Sequence, residues 1–160
     1  MTIGAVPRDP RSCSGVTDVE IRRAGPADGD ALFGLLEQFA MSYPSDRAAF
    51  DAHLPRLDEA EHAEVWVACA DEQVIGYLVA FHLLTLYANG VVTEVQELMV
   101  DPGWRGQGVG RRLVKTLIGS ARARASVEVT VPTRRAEAFY ESLGFERTAS
   151  YLKLELASSP

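Results

Sequence analysis

Glu97-Leu98-Met99-Val100-Asp101-Pro102-Gly103-Trp104-Arg105-Gly106-Gln107-Gly108-Val109-Gly110-Arg111-Arg112-Leu113 is the stretch that decides how this 160-residue chain folds. Its apolar start reads as a strand that ends at Val100, because Asp101 and Pro102 cannot continue it. Glycines at 106, 108 and 110 then lead into Val109, Leu113, Leu117 and Ile118, which share one helical face. The order is strand, turn, helix. The glycines permit positive φ and close approach of bare backbone. Arg105, Arg111 and Arg112 crowd the helix start, where the dipole is already positive, so an anion in the turn would relieve the conflict.

Two common phosphate motifs fail at this turn. The P-loop needs Gly-Lys-Ser or Gly-Lys-Thr, and Gly110 is followed by Arg111. The dinucleotide fingerprint needs G-x-G-x-x-G, whereas these glycines are spaced two and two.

Upstream, Val19 to Ala24 alternates like a first strand. After the turn at Gly25-Pro26, Asp28 or Asp30 would cap a helix carrying Leu32, Leu35, Leu36 and Phe39, and Tyr43 to Asp46 ends it. A second helix over Ala48 to Glu59 is expected to be interrupted near Pro55. Glu64 to Ala70, the turn Asp71-Glu72-Gln73, and Val74 to Tyr87 form a hairpin; Asn89-Gly90 then turns into a strand over Val91 to Val100. Downstream, Val127 to Val131 is a strand stopped by Pro132. Thr133 would cap a helix from Arg134 to Leu143, closed by Gly144, and Phe145 begins a final strand region that includes Tyr151 to Leu156. The predicted order is β-α-α-β-β-β-α-β-α-β-β, a mixed α/β (α+β) domain over 19–156. A flexible tail is expected over 1–18 and a short one over 157–160.

At 47% hydrophobic and 24% charged residues, the chain has the composition of an ordinary globular domain. Cys13 and Cys69 match no disulfide framework or zinc spacing, so no metal site is expected and a reducing cytoplasm fits. The longest apolar run, Val74 to Leu86, holds Gly76 and His82 and is too short for a membrane helix. Residues 1–100 carry 6 Lys/Arg against 16 Asp/Glu, whereas 101–160 carry 10 against 6. The second part suits an anionic ligand; the first would repel a nucleic acid backbone.

Leu98-x-Val100 followed by Arg105-x-x-Gly108-x-Gly110 resembles the coenzyme A pyrophosphate loop of the GNAT superfamily of N-acetyltransferases. Ala136-x-x-Phe139-Tyr140-x-x-x-Gly144-Phe145 resembles its second motif, and the predicted element order is that of its fold. The resemblance covers roughly Val19 to Leu156. It implies acetyl-coenzyme A as acyl donor and a primary amine of a small molecule or peptide as acceptor, joined by direct attack without a covalent enzyme intermediate. It also implies a central, mostly antiparallel mixed sheet flanked by helices.

By the same resemblance, Leu98, Met99 and Val100 hold the pantetheine arm, and the loop backbone of Arg105, Gly106, Gln107, Gly108, Val109 and Gly110 meets the pyrophosphate, with charge from Arg105 and Arg111. Thr133 stands where many members have an asparagine, and its hydroxyl can still contact the cofactor. Tyr140 is the candidate general acid for the departing thiolate; the alternative is a Phe-Tyr pair that only packs on the sheet. For the general base, Glu94 is favoured over Glu97, with solvent as the third option. Plain alternation puts Glu94 and Gln96 on the face of Leu98 and Glu97 on the other, and a bulge in this strand would change that parity.

The resemblance also implies Tyr43, His53, Tyr87 and His82 as acceptor-pocket candidates, although His82 reads better as a core histidine. Residues 46–72 hold 8 acids and 2 arginines, which suits a cationic amine. The rival reading is a non-catalytic acyl-coenzyme A sensor or partner-binding module on the same fold. No nucleic acid or membrane partner is expected, and a homodimer is compatible with the resemblance.

Overall fold

The computed structural model describes residues 18–39 and 43–156; the two expected tails lie outside them, apart from Asp18. Five strands form one sheet in sequence order: β1 (Val19–Arg23), β2 (Ala63–Ala70), β3 (Gln73–Thr85), β4 (Gly90–Val100) and β5 (Glu128–Thr130). All neighbouring strands are antiparallel except β4 and β5, which are parallel. Helices α1 (Gly29–Phe39) and α2 (Arg47–Glu59) precede the β2–β3 hairpin, and α3 (Val109–Ala123) and α4 (Glu137–Glu141) flank β5 in sequence. Among the described residues, no helix is long and apolar enough to cross a membrane, and no cluster of three or more His, Cys, Asp or Glu side chains could hold a metal ion.

Each face of the sheet has its own core. On one, Ala68, Ile75, Leu78, Ala80 and Val95 pack with Val109, Leu113, Val114 and Leu117 of α3. On the other, Leu32 and Leu35 of α1 meet Val65, Val67, Tyr77, Val79 and Met99. Burying such apolar side chains stabilises the fold by about 1.5–3 kcal/mol each. The long strands tolerate burial on both faces because helices cover both, which is why the letters of β3 read as an almost unbroken apolar run.

Local chemistry departs from the sequence expectations at four places. Asp28 does not cap α1: its carboxylate takes both guanidinium nitrogens of Arg22 at 2.8 Å and the Gly25 N–H at 2.7 Å. Asp46 caps α2 by accepting from the Ala49 N–H at 2.9 Å, and α2 runs through Pro55 unbroken. Proline there removes one intrahelical donor, and Phe50, Leu54 and Leu57 dock the turns on either side against the core. Helix α4 is only five residues long, and the Thr133 hydroxyl accepts from Ala136 N–H at 3.1 Å. Finally, residues 145–156 form no strand. Their alternation is present in the letters, but β5 offers an edge of only three residues, and Leu152, Leu154 and Leu156 stand more than 80% exposed.

Two features of β4 build the site. Val79 pairs with Glu97 and Ala80 with Val95, so Gln96 is an extra residue, a β-bulge. Parallel pairing with β5 involves only Val92, Thr93 and Glu94. Beyond Glu94 the two strands part, since Pro132 turns the chain leaving β5 while β4 continues to Val100.

Candidate active site

The parting strands open onto a cleft of about 940 Å³. Val95, Gln96, Glu97 and Leu98 line it from β4, Val131 to Ala136 from the segment after β5, and Tyr140 from α4. Tyr43, Asp46 and His53 border it on the α2 side. Because β5 stops at Thr130, the backbone of β4 past Glu94 has no strand partner on that side, and its polar groups are available to a ligand.

Glu97 is the carboxylate that β4 presents to this cleft. It is half-buried, and the Tyr77 hydroxyl donates to its Oε2 at 2.8 Å. Burial pushes its pKa above the usual carboxylate value, and the Tyr77 hydrogen bond only partly opposes this. Tyr140 is 5% exposed, and burial pushes its phenol up to about 12. A phenol held protonated at every working pH is a hydrogen-bond donor, and outright proton loss from it is costly.

Glu94, the sequence-favoured base, sits elsewhere. The bulge puts it on the same face as Glu97 and not with Leu98, since it pairs with Phe81 on the α1 side. It accepts a hydrogen bond from Gln96 and, with Tyr87 and Glu128, lines an adjoining depression that shares Val131 to Arg134 and Tyr140 with the cleft. Tyr87 is 75% exposed and donates to Glu128 at 3.1 Å; His82 is buried on the α3 side, its Nδ1 2.9 Å from Thr93 Oγ1. Of the acceptor-pocket candidates, Tyr43 and His53 lie at the cleft, whereas His82 and Tyr87 do not.

The glycine loop follows β4 through a short 3-10 turn over Pro102–Trp104. Gly106 and Gly108 take φ of 75° and 83°, and a Cβ on either would meet nothing within 4 Å, so the loop backbone lies bare. Helix α3 begins directly after Gly108. Its first intrahelical bond runs from Arg112 N–H to Gly108 O, leaving the N–H groups of 109–111 without intrahelical acceptors.

Not every loop side chain faces outward. Arg105 folds back, with Nε 3.0 Å from Val100 O and Nη2 3.7 Å from Met99 Sδ. Gln107 donates to Gly103 O at 3.0 Å, and Arg111 donates to Oγ of Ser142, at the C-terminal end of α4, at 3.1 Å. Gly110 lies beneath the Phe139 ring, where a Cβ would come within 3.3 Å, so this glycine serves helix packing. Met99 and Val109 are core residues whose backbone alone remains for a ligand. Thr133 lines the cleft with its hydroxyl engaged by Ala136 N–H.

Sequence reasoning missed Tyr77, hidden inside an apolar strand, and Gln96, whose extra position appears only in the register. It also missed the role of Glu64, which is 2% exposed and accepts from Ser120 Oγ at 2.6 Å, Trp66 Nε1 at 2.8 Å and Arg124 Nε at 3.0 Å. A glutamate leading an apolar strand was the available signal, but its partners come from distant segments.

Comparison with known proteins agrees with this architecture. Residues 32–145 match the sequence profile of the acetyltransferase (GNAT) family. Glucosamine 6-phosphate N-acetyltransferase 1 of Oryza sativa subsp. japonica is 32% identical over 120 residues, which cover 71% of this chain and 72% of that protein. An uncharacterized protein of Mycobacterium leprae is 35% identical over 128 residues, 76% of this chain but only 33% of the longer relative. The fold superposes on an acetyltransferase of Trypanosoma brucei with a TM-score of 0.76, covering 87% of this chain and all of the other at 22% identity. Two motifs, the diverging strands and a profile match over most of the domain converge: the chain belongs to the acetyltransferase (GNAT) family, a family of acyl-transferring enzymes.

Proposed function

We propose that the protein is an acetyl-coenzyme A-dependent N-acetyltransferase that works in the cleft between β4 and β5, with Glu97 as proton acceptor for the attacking amine. The observation that carries this reading is a half-buried carboxylate of raised pKa on the wall of that cleft, opposite the segment that bears Tyr140. A base poised toward neutral pH is better matched to an ammonium than an ordinary exposed glutamate is.

The residues present fit the donor. The bare backbone of Gly106 to Gly108 and the N–H groups of 109–111 suit a pyrophosphate; Leu98 and the unpaired edge of β4 suit an extended, largely apolar arm that hydrogen-bonds through amides. When bound, acetyl-coenzyme A supplies an activated acyl group on a thioester. The chain's own share is then fourfold. The β4 backbone orients the acyl carbonyl, Glu97 takes a proton from the amine at a carboxylate oxygen, the apolar cleft walls keep water away, and Tyr140 donates a hydrogen bond where thiolate charge develops.

The acceptor is a primary amine of a small molecule or peptide. The rice relative is named for glucosamine 6-phosphate, and what this chain shares with that substrate class in the present reading is the amine. Asp46 at the rim, within the acidic run of residues 46–72, favours a cationic acceptor. Release of free thiol from acetyl-coenzyme A across a panel of amines tests the reading. Amine-dependent thiol release by the wild-type chain, lost in Glu97→Gln, is the expected result. Cofactor binding without turnover on any amine would point to a sensor instead.

A further inference from the structure

Glu97, on the reading of it as proton acceptor, is held by a side chain of the neighbouring strand. Tyr77 and Glu97 come from neighbouring strands and are diagonal in the register, Tyr77 pairing with Met99 and Val79 with Glu97. Alternation with Met99 puts Glu97 on the face of Tyr77, and the extra residue Gln96 keeps Val95 on the opposite face with Leu98. The Tyr77 ring is 3% exposed, packed in the core beneath α1, and its hydroxyl donates to Glu97 Oε2 at 2.8 Å. Among the described residues it is the one hydrogen-bond donor to this carboxylate.

We propose that Tyr77 is a positioning residue: by occupying Oε2 it fixes the plane of the Glu97 carboxylate and leaves Oε1 as the oxygen that receives the amine proton. Tyr77 keeps its own proton throughout, since burial and the adjacent carboxylate raise its phenol above the ordinary tyrosine value. The proton that leaves the acceptor nitrogen ends on Oε1, the nitrogen lone pair forms the bond to the acyl carbon, and the carbon–sulfur pair leaves with the donor's sulfur as a thiolate that is protonated from solvent to the free thiol. A packed phenol suits this task better than a water, because two stiff torsions hold it and the core fixes both. The other titratable groups on the cleft wall are Tyr43, Asp46 at the start of α2 and His53 within it, Arg134 and Arg135 after β5, Tyr140 of α4, and Tyr151 and Lys153. The raised pKa of Glu97 arises from burial, opposed by Tyr77 alone.

Tyr77→Phe keeps the ring and removes the donor. Its pH profile of kcat/KM is compared with those of the wild type and Glu97→Gln, together with a carbon-13 NMR titration of the Glu97 carboxyl in the unliganded protein. Losing the donor destabilises the carboxylate, so both the acid limb and the NMR midpoint should rise by about one pH unit, a tenfold loss at low pH that recovers at high pH. Difluorotyrosine at position 77, a stronger donor of nearly the same volume, should move the NMR midpoint downward; it also keeps the test open if the phenylalanine variant folds poorly. Unmoved midpoints in both variants, with the acid limb abolished in Glu97→Gln, would reduce Tyr77 to packing while sparing the base. A wild-type profile in Glu97→Gln would overturn the base and the positioning residue together.

Discussion

Glu64 and Glu97 are two carboxylates under opposite faces of the same sheet, and their surroundings differ in kind. Glu64 is sealed, with three hydrogen-bond donors and the guanidinium of Arg23 at 3.4 Å. Burial alone would raise its pKa, but the bonds from Ser120, Trp66 and Arg124 outweigh it and hold Glu64 below the usual range. Glu97 has one donor, opens onto a cleft, and has its pKa raised. A carboxylate whose acceptor capacity is met by the protein ties elements together. One left with an unmet oxygen and a raised pKa is equipped to take a proton. The linkage signs are opposite too. Stability from Glu64 is present above the unfolded-state pKa and is lost as pH falls through its lowered folded value. Glu97 favours the fold at low pH and gives up that contribution as pH rises from the unfolded value toward its raised folded one.

Substitution separates the two roles. Glu97→Gln should lower kcat/KM by about 100-fold or more while Tm stays within about 3 °C of wild type. A comparable loss of Tm would make Glu97 structural like Glu64. Glu64→Ala should do the reverse. It strands the Trp66, Ser120 and Arg124 donors and costs about 3 kcal/mol, a drop in Tm of about 10 °C, with unchanged KM for acetyl-coenzyme A in the folded protein. Tyr140→Phe should produce a smaller effect, about tenfold in kcat, because a phenol this weakly acidic contributes mainly a hydrogen bond. An unchanged kcat would leave Tyr140 the packing role its contacts with Phe139 and Phe145 already give it.

Local signals made much of the fold legible in the sequence. The glycine turn, the Asn89-Gly90 turn and the apolar periodicity of α3 each depend on neighbours a few residues away, and these three features stand within a few residues of their expected places. What the letters could not show depends on register or partners. Plain alternation put Glu94 and Glu97 on opposite faces, and one bulged residue reverses that relation. Asp28 has the letters of a helix cap, yet Arg22 claims its carboxylate across the preceding turn. The alternation of Tyr151 to Leu156 predicts a strand, but alternation is a property of one segment, whereas a strand needs an edge to pair with. The glycines of the loop read alike in sequence, yet Gly108 frees backbone and Gly110 makes room for Phe139.

Calorimetric titration with acetyl-coenzyme A, wild type beside Gly108→Asp, tests the cofactor loop most directly. Gly108 holds φ of 83° at the start of α3, so aspartate there adds both strain and negative charge where a pyrophosphate would sit. Saturable binding by the wild type, absent from a variant with native circular dichroism and not reproduced with ATP or NADH, is the predicted result. No binding by the folded wild type, or equal binding by both proteins, would contradict the assignment of Arg105 to Gly110 as the cofactor loop.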